Sequence, residues 1–139
     1  MRKFLLPMLL ALTIMLPTMQ VSAAYVFVPN FRKMTSNTMQ IRIKYDGMEQ
    51  KNNNGVAYTS WHYTCLDGKT ADYVAKYIKR IGNRPDFQLL GQSGANWFFA
   101  YKGGQARYLK AFDGGFHVHV GASGNDVVVN MVAGMYPES

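Results

Sequence analysis

The sequence predicts an α+β fold, with one main helix packed on a curved antiparallel sheet that ends in a C-terminal β-meander. Three observations carry this expectation. Residues 70–82 place apolar side chains at helical spacing. Ahead of them, residues 39–45 and 56–65 alternate with a period of two. After them, short runs rich in Val, Phe and Tyr alternate with glycine-marked turns about every ten residues, the pattern of successive hairpins.

The elements follow in order. Residues 25–29 read as a short strand closed by Pro29, and residues 30–38 as loop. In 39–45, Met39, Ile41, Ile43 and Tyr45 share one face, and Asp46-Gly47 is expected to end the strand. Asn52-Asn53-Asn54-Gly55 is the next turn. In 56–65, Trp61, Tyr63 and Cys65 form the bulkier, core-directed set, with His62 on the opposite side. The helix has Thr70 as its expected N-cap, Asp72 in its first turn, and Lys79 and Arg80 near its end, each favoured there by the helix dipole. Its apolar stripe is Ala71, Val74, Ile78 and Ile81. Gly82 is its expected C-cap, and Pro85 blocks continuation. The meander strands are expected at 87–90, 97–101, 105–112, 116–120 and 127–133, followed by a tail.

The chain starts with a different kind of segment. Arg2 and Lys3 precede an apolar stretch over 4–16, and Val21-Ser22-Ala23 offers small residues at a cleavage site, which together read as a signal peptide over 1–23. Pro7 and Pro17 break the apolar run, which falls short of the roughly 20 residues of a spanning helix. Residues 24–139 then form a single globular domain, large enough to bury a core. Export to the periplasm or the medium is the expectation. A single cysteine, Cys65, excludes an intramolecular disulfide, and no Asn-x-Ser/Thr sequon is present; both tilt the source toward bacteria. The domain keeps thirteen basic and eight acidic side chains, an excess that attracts anionic envelope components.

Few residues suggest chemistry. His117 and His119 are two apart, so a strand would project both from one face. With His62 they are the candidate ligands for Cu or Zn, as neutral imidazole suits both. A structural metal centre needs four ligands, and there is no second cysteine. Cys65 is read as a buried thiol, with a disulfide-linked dimer as its alternative role. Trp97, Tyr101, Lys102, Arg107, Tyr108 and Lys110 interleave rings with cations and form a candidate partner surface. Export disfavours nucleic acid as the partner and leaves a protein, a glycan or an anionic envelope component.

No nucleophile elbow is present, since Ala95 follows Ser93-Gly94 where the pattern needs glycine two residues after the serine. No phosphate-binding loop is present either, and the aspartates at 67, 72, 86 and 113 suit turns or helix ends. The expected function is therefore a small exported, non-enzymatic binding or accessory protein. A transition-metal-binding protein using the strand histidines is one alternative, and a small hydrolase with an unrecognised site is the other.

Overall fold

The computed structural model describes residues 25–35 and 42–139. The signal peptide and the expected strand start at Met39–Ile41 lie outside the described residues. Eight strands are present among them: β1 (Val26–Val28), β2 (Ile43–Asn53), β3 (Val56–Cys65), β4 (Phe87–Ser93), β5 (Asn96–Tyr101), β6 (Val118–Ser123), β7 (Asp126–Val132) and β8 (Met135–Pro137), with one α-helix, α1 (Thr70–Gly82), between β3 and β4. Strands β2 to β7 form one antiparallel sheet in the order β2-β3-β7-β6-β5-β4. The fold is α+β, and β4 to β7 are the expected meander.

Chain length explains why the helix sits where it does. Strands β3 and β4 are consecutive, yet four inter-strand steps separate them, or about 19 Å at the usual strand spacing. A thirteen-residue helix rises about 20 Å. Helix α1 therefore carries the chain across one face of the sheet, touching β7, β6 and β4 on the way.

Its orientation differs from the expected stripe. The buried residues are Thr70, Val74, Tyr77 and Ile81, whereas Ala71 is exposed and Ile78 only half-buried. Tyr77 displaces Ile78 from the centre because its hydroxyl has a partner inside. It donates to the Pro29 carbonyl at 2.6 Å while the ring stands edge-on to Phe31 at 5.2 Å. The N-cap position is held by Lys69 without a side-chain cap, and Thr70 is already inside the helix and covered. Gly82 closes the last turn, and the cap residue is Asn83, in right-handed conformation, so no left-handed glycine ends this helix.

Three other segments depart from expectation. Asp46-Gly47 is a bulge rather than a turn. The β2–β3 register shifts between Tyr45 and Gly47, Gly47 takes φ +121°, and β2 runs on to Asn53. The hairpin turns instead at Asn54-Gly55, both with positive φ (51° and 84°), as a two-residue turn matching strand twist requires. Residues 105–112 are not a strand but a loop with a single 3-10 turn, Ala106–Tyr108. Buried Leu109 and Phe112 stand three apart in it, a spacing no strand face can provide. The expected tail contains β8, which pairs in parallel with β1 through Val26↔Met135 and Val28↔Pro137.

The sheet buries one face under α1 and the N-terminal segment. Ile43, Tyr63, Cys65, Phe99, Val118, Val120 and Val129 point that way, against Phe31, Val74, Tyr77 and Ile81. Cys65 is 1% exposed, which removes it from reach of a second copy, so the disulfide-linked dimer is not available to this fold. Tyr101 is core as well, edge-on to Phe87 at 5.3 Å. The other face carries the alternate residues, and the chemistry lies there.

Candidate functional site

The face opposite α1 divides into two halves. Over one half, the loop between β5 and β6 folds back and seats its aromatic rings. Phe112 meets Tyr58 at 4.8 Å and stacks on Phe116 at 4.6 Å. Phe116 meets Phe98 at 5.0 Å, and Phe98 stacks on His119 at 5.0 Å. The other half remains open as a cleft of about 470 Å³, with Asp46, His62, Asn96, Ser123, Asp126 and Val128 among its lining residues.

Strand alternation builds this lining. On β7, Val127, Val129 and Met131 face the core, so Asp126, Val128 and Asn130 face the cleft side. The register sets Thr64 opposite Asp126, His62 opposite Val128, and Ser60 opposite Asn130. The bulge at Asp46 swings that carboxylate onto the same face. There the Thr64 hydroxyl lies 2.5 Å from Asp46 Oδ2 and 3.4 Å from Asp126 Oδ1. One hydroxyl proton thus serves two carboxylates. Lys44 approaches Asp46 at 3.5 Å from outside, and His62 lies 3.0 Å from Glu49. In a basic protein, the charged side chains lining the cleft beside His62 are carboxylates.

Behind the cleft a hydrogen-bonded row crosses four strands. The Ser60 hydroxyl donates to Asn130 Oδ1 at 2.5 Å. Asn130 Nδ2 donates to His119 Nδ1 at 2.8 Å. An amide nitrogen can only donate, so Nδ1 carries no proton, and the ring proton of the neutral imidazole sits on Nε2. Nε2–H then donates to Asn96 Oδ1 at 2.8 Å, and Asn96 Nδ2 donates to the Ser93 carbonyl at 3.2 Å. Burial holds the His119 pKa below the ordinary imidazole value, which favours this neutral form. Gly121 makes the row possible. A Cβ there would lie 2.9 Å from Asn96 Oδ1 and 3.1 Å from His119 Cε1.

The structure separates the three histidines proposed as ligands. His117 precedes β6, is buried, and accepts the Tyr101 backbone N–H at Nδ1, 3.0 Å away. Burial, and then the charge of Lys102, lowers its pKa. His119 has both ring nitrogens engaged, leaving no lone pair for a metal. His62 is two strands away from β6, about 10 Å at the usual spacing. Among the described residues no group of three His, Cys, Asp or Glu side chains could hold a metal ion.

The proposed ring-and-cation surface is divided too. Trp97 and Tyr101 share the helix-side face of β5 with Phe99, while Lys102, Arg107, Tyr108 and Lys110 are exposed on the loop after it. Arg107 lies over its own neighbour, Tyr108, at 5.1 Å. Sequence reasoning missed Asn96, Asn130, Ser60, Asp46 and Asp126. Alternation on 56–65 and 127–133 was the available signal, but the register that joins them was not.

Compared with known proteins, the chain matches no family model, no curated protein and no solved structure.

Proposed function

We propose that this is an exported, non-enzymatic binding protein whose cleft takes a glycan of the cell envelope, with preference for sugars bearing free amino groups. Export to the periplasm or the medium rests on Arg2-Lys3, the apolar stretch after them and Val21-Ser22-Ala23. Among the described residues no helix is long and apolar enough to cross a membrane.

The observation that carries the reading is the lining of the cleft. Asp46, Asp126, Asn96, Ser123 and His62 offer paired donors and acceptors over the half-buried Val128. Planar carboxylates and amides suit adjacent sugar hydroxyls, and a few fixed polar groups over an apolar floor are the usual makeup of a small-ligand site. The two carboxylates add a preference for ammonium over acetamide. An anionic polymer would be repelled there, so the basic excess of the domain must act elsewhere on its surface. The non-enzymatic part is carried by the sequence, in which the hydrolase candidates have plainer roles at turns and helix ends.

The test is a titration of ¹⁵N-labelled protein with glucosamine oligomers, followed by amide shifts. Shifts clustered at His62, Asn96, Ser123 and Asp126 are expected. Shifts confined to the helix side, or none at millimolar ligand, would contradict the assignment.

A further inference from the structure

We propose that His119 is a positioning residue for the cleft, fixing which way the Asn96 amide presents its oxygen and nitrogen to a ligand. The proposal rests on the cleft being the binding site. Asn96 is among the lining residues of the cleft, and His119 is not. An asparagine amide left to itself can turn over, exchanging a donor for an acceptor at nearly the same place. Here the turn is blocked from behind. The Nε2–H of His119 points at Asn96 Oδ1, and a turned amide would set its NH₂ against that proton. At the same time Asn96 Nδ2 would lose the Ser93 carbonyl.

The polarity of His119 is itself dictated. Asn130 Nδ2 occupies Nδ1 and excludes the other neutral tautomer. The Ser60 hydroxyl, in a residue only 2% exposed, turns to donate to Asn130 Oδ1, and the polarity is set from the other end by the Ser93 carbonyl, which can only accept. The row therefore runs in one direction between Ser60 in β3 and Asn96 in β5, with His119 as the link that carries it. Its outer end leaves one lone pair on Asn96 Oδ1 and one hydrogen on Nδ2 for the ligand. Stacking of the His119 ring on Phe98 and the missing side chain at Gly121 hold the ring in line.

The experiment uses protein purified after expression of the full chain, at pH 8 so that His119 is neutral. Long-range ¹H–¹⁵N correlation reads the tautomer directly, and side-chain amide resonances report Asn96 without any ligand. The expected result is a protonated Nε2 and a bare Nδ1, with two well-separated, slowly exchanging Asn96 amide protons. His119→Phe keeps the stacking but should collapse the Asn96 signature toward that of a free asparagine. His119→Gln, which can still donate to Asn96, should retain it. Glucosamine oligomer affinity should fall about five- to tenfold in His119→Phe and recover in His119→Gln, the loss of one placed hydrogen bond. Should His119→Phe fail to fold, Asn130→Leu removes the donor at Nδ1 and should release the tautomer. A protonated Nδ1 in the wild type, or an Asn96 amide unchanged in a folded His119→Phe, would overturn the proposal. Wild-type protein that shows the signature but binds no oligomer would overturn the cleft assignment on which it rests.

Discussion

Asn130 donates to His119 Nδ1 at 2.8 Å, and this contact between β7 and β6 decides where the ring proton of His119 resides. The consequences reach the cleft on one side and the acid stability of the sheet on the other.

Acid should weaken this fold before its carboxylates titrate. His117 and His119 are both held below the ordinary imidazole value by burial, His117 also by Lys102. The unfolded chain takes up protons first, so stability is complete above about pH 6.5 and is lost as pH falls from there toward the depressed folded-state values. Urea midpoints should decline between pH 7.5 and 5. His119→Gln should flatten part of that decline, and a slope equal to the wild type would exclude the assignment.

Gly121→Ala should cost about 1–3 kcal/mol, since the methyl would press on Asn96 and His119 across a packed row. Gly91→Ala is the control. It lies in β4 with nothing within 4 Å of the added carbon and should change stability by less than about 0.5 kcal/mol. Denaturant titration of both variants separates crowding at the row from a general intolerance of alanine in the sheet.

On the helix, Ile81→Ala should cost about 2–5 kcal/mol, as fully buried aliphatic truncations do. Ile78→Ala should cost clearly less, because Ile78 is only half-buried. Tyr77→Phe should cost about 1–3 kcal/mol by leaving the buried Pro29 carbonyl without its donor. Equal losses for Ile78→Ala and Ile81→Ala would restore the stripe expected from sequence.

The helix boundaries were legible because the apolar spacing begins just after Thr70 and stops at Gly82, ahead of Pro85. The rotation was not, since a tyrosine reads as amphipathic until its hydroxyl is seen to reach Pro29. The loop at 105–112 passed for a strand because β-favouring residues can also sit three apart in a folded-back segment. His117 and His119 looked equivalent only if the strand began at Phe116. It begins at Val118, and the two rings find different partners. The row from Ser60 to Asn96 was hidden for a deeper reason. Ser, Asn and Asp on one face of an amphipathic strand look like ordinary solvent-facing residues. Only the pairing of β3 with β7, distant in sequence, sets Ser60 opposite Asn130, and the β6–β7 hairpin then sets Asn130 opposite His119.

Arg84 ties the terminal ladder to the helix end. It grips Asp86 through Nε and Nη2 while Nη1 reaches the Phe27 carbonyl at 2.8 Å and Glu138 at 3.4 Å. Arg84→Met should speed hydrogen exchange in β1 and β8 well before it affects β6 and β7. Uniform acceleration across all four strands would contradict a local role.

The most direct measurement of the central claim is calorimetric titration with glucosamine oligomers and with their N-acetylated counterparts. Wild-type protein should bind the free-amine form more tightly, because Asp46 and Asp126 face the ligand with Thr64 shared between them. The Asp46→Asn/Asp126→Asn double variant should lose that preference while keeping the fold. Equal affinity of the wild type for both oligomers, or a preference that survives the double variant, would contradict the assignment of this cleft.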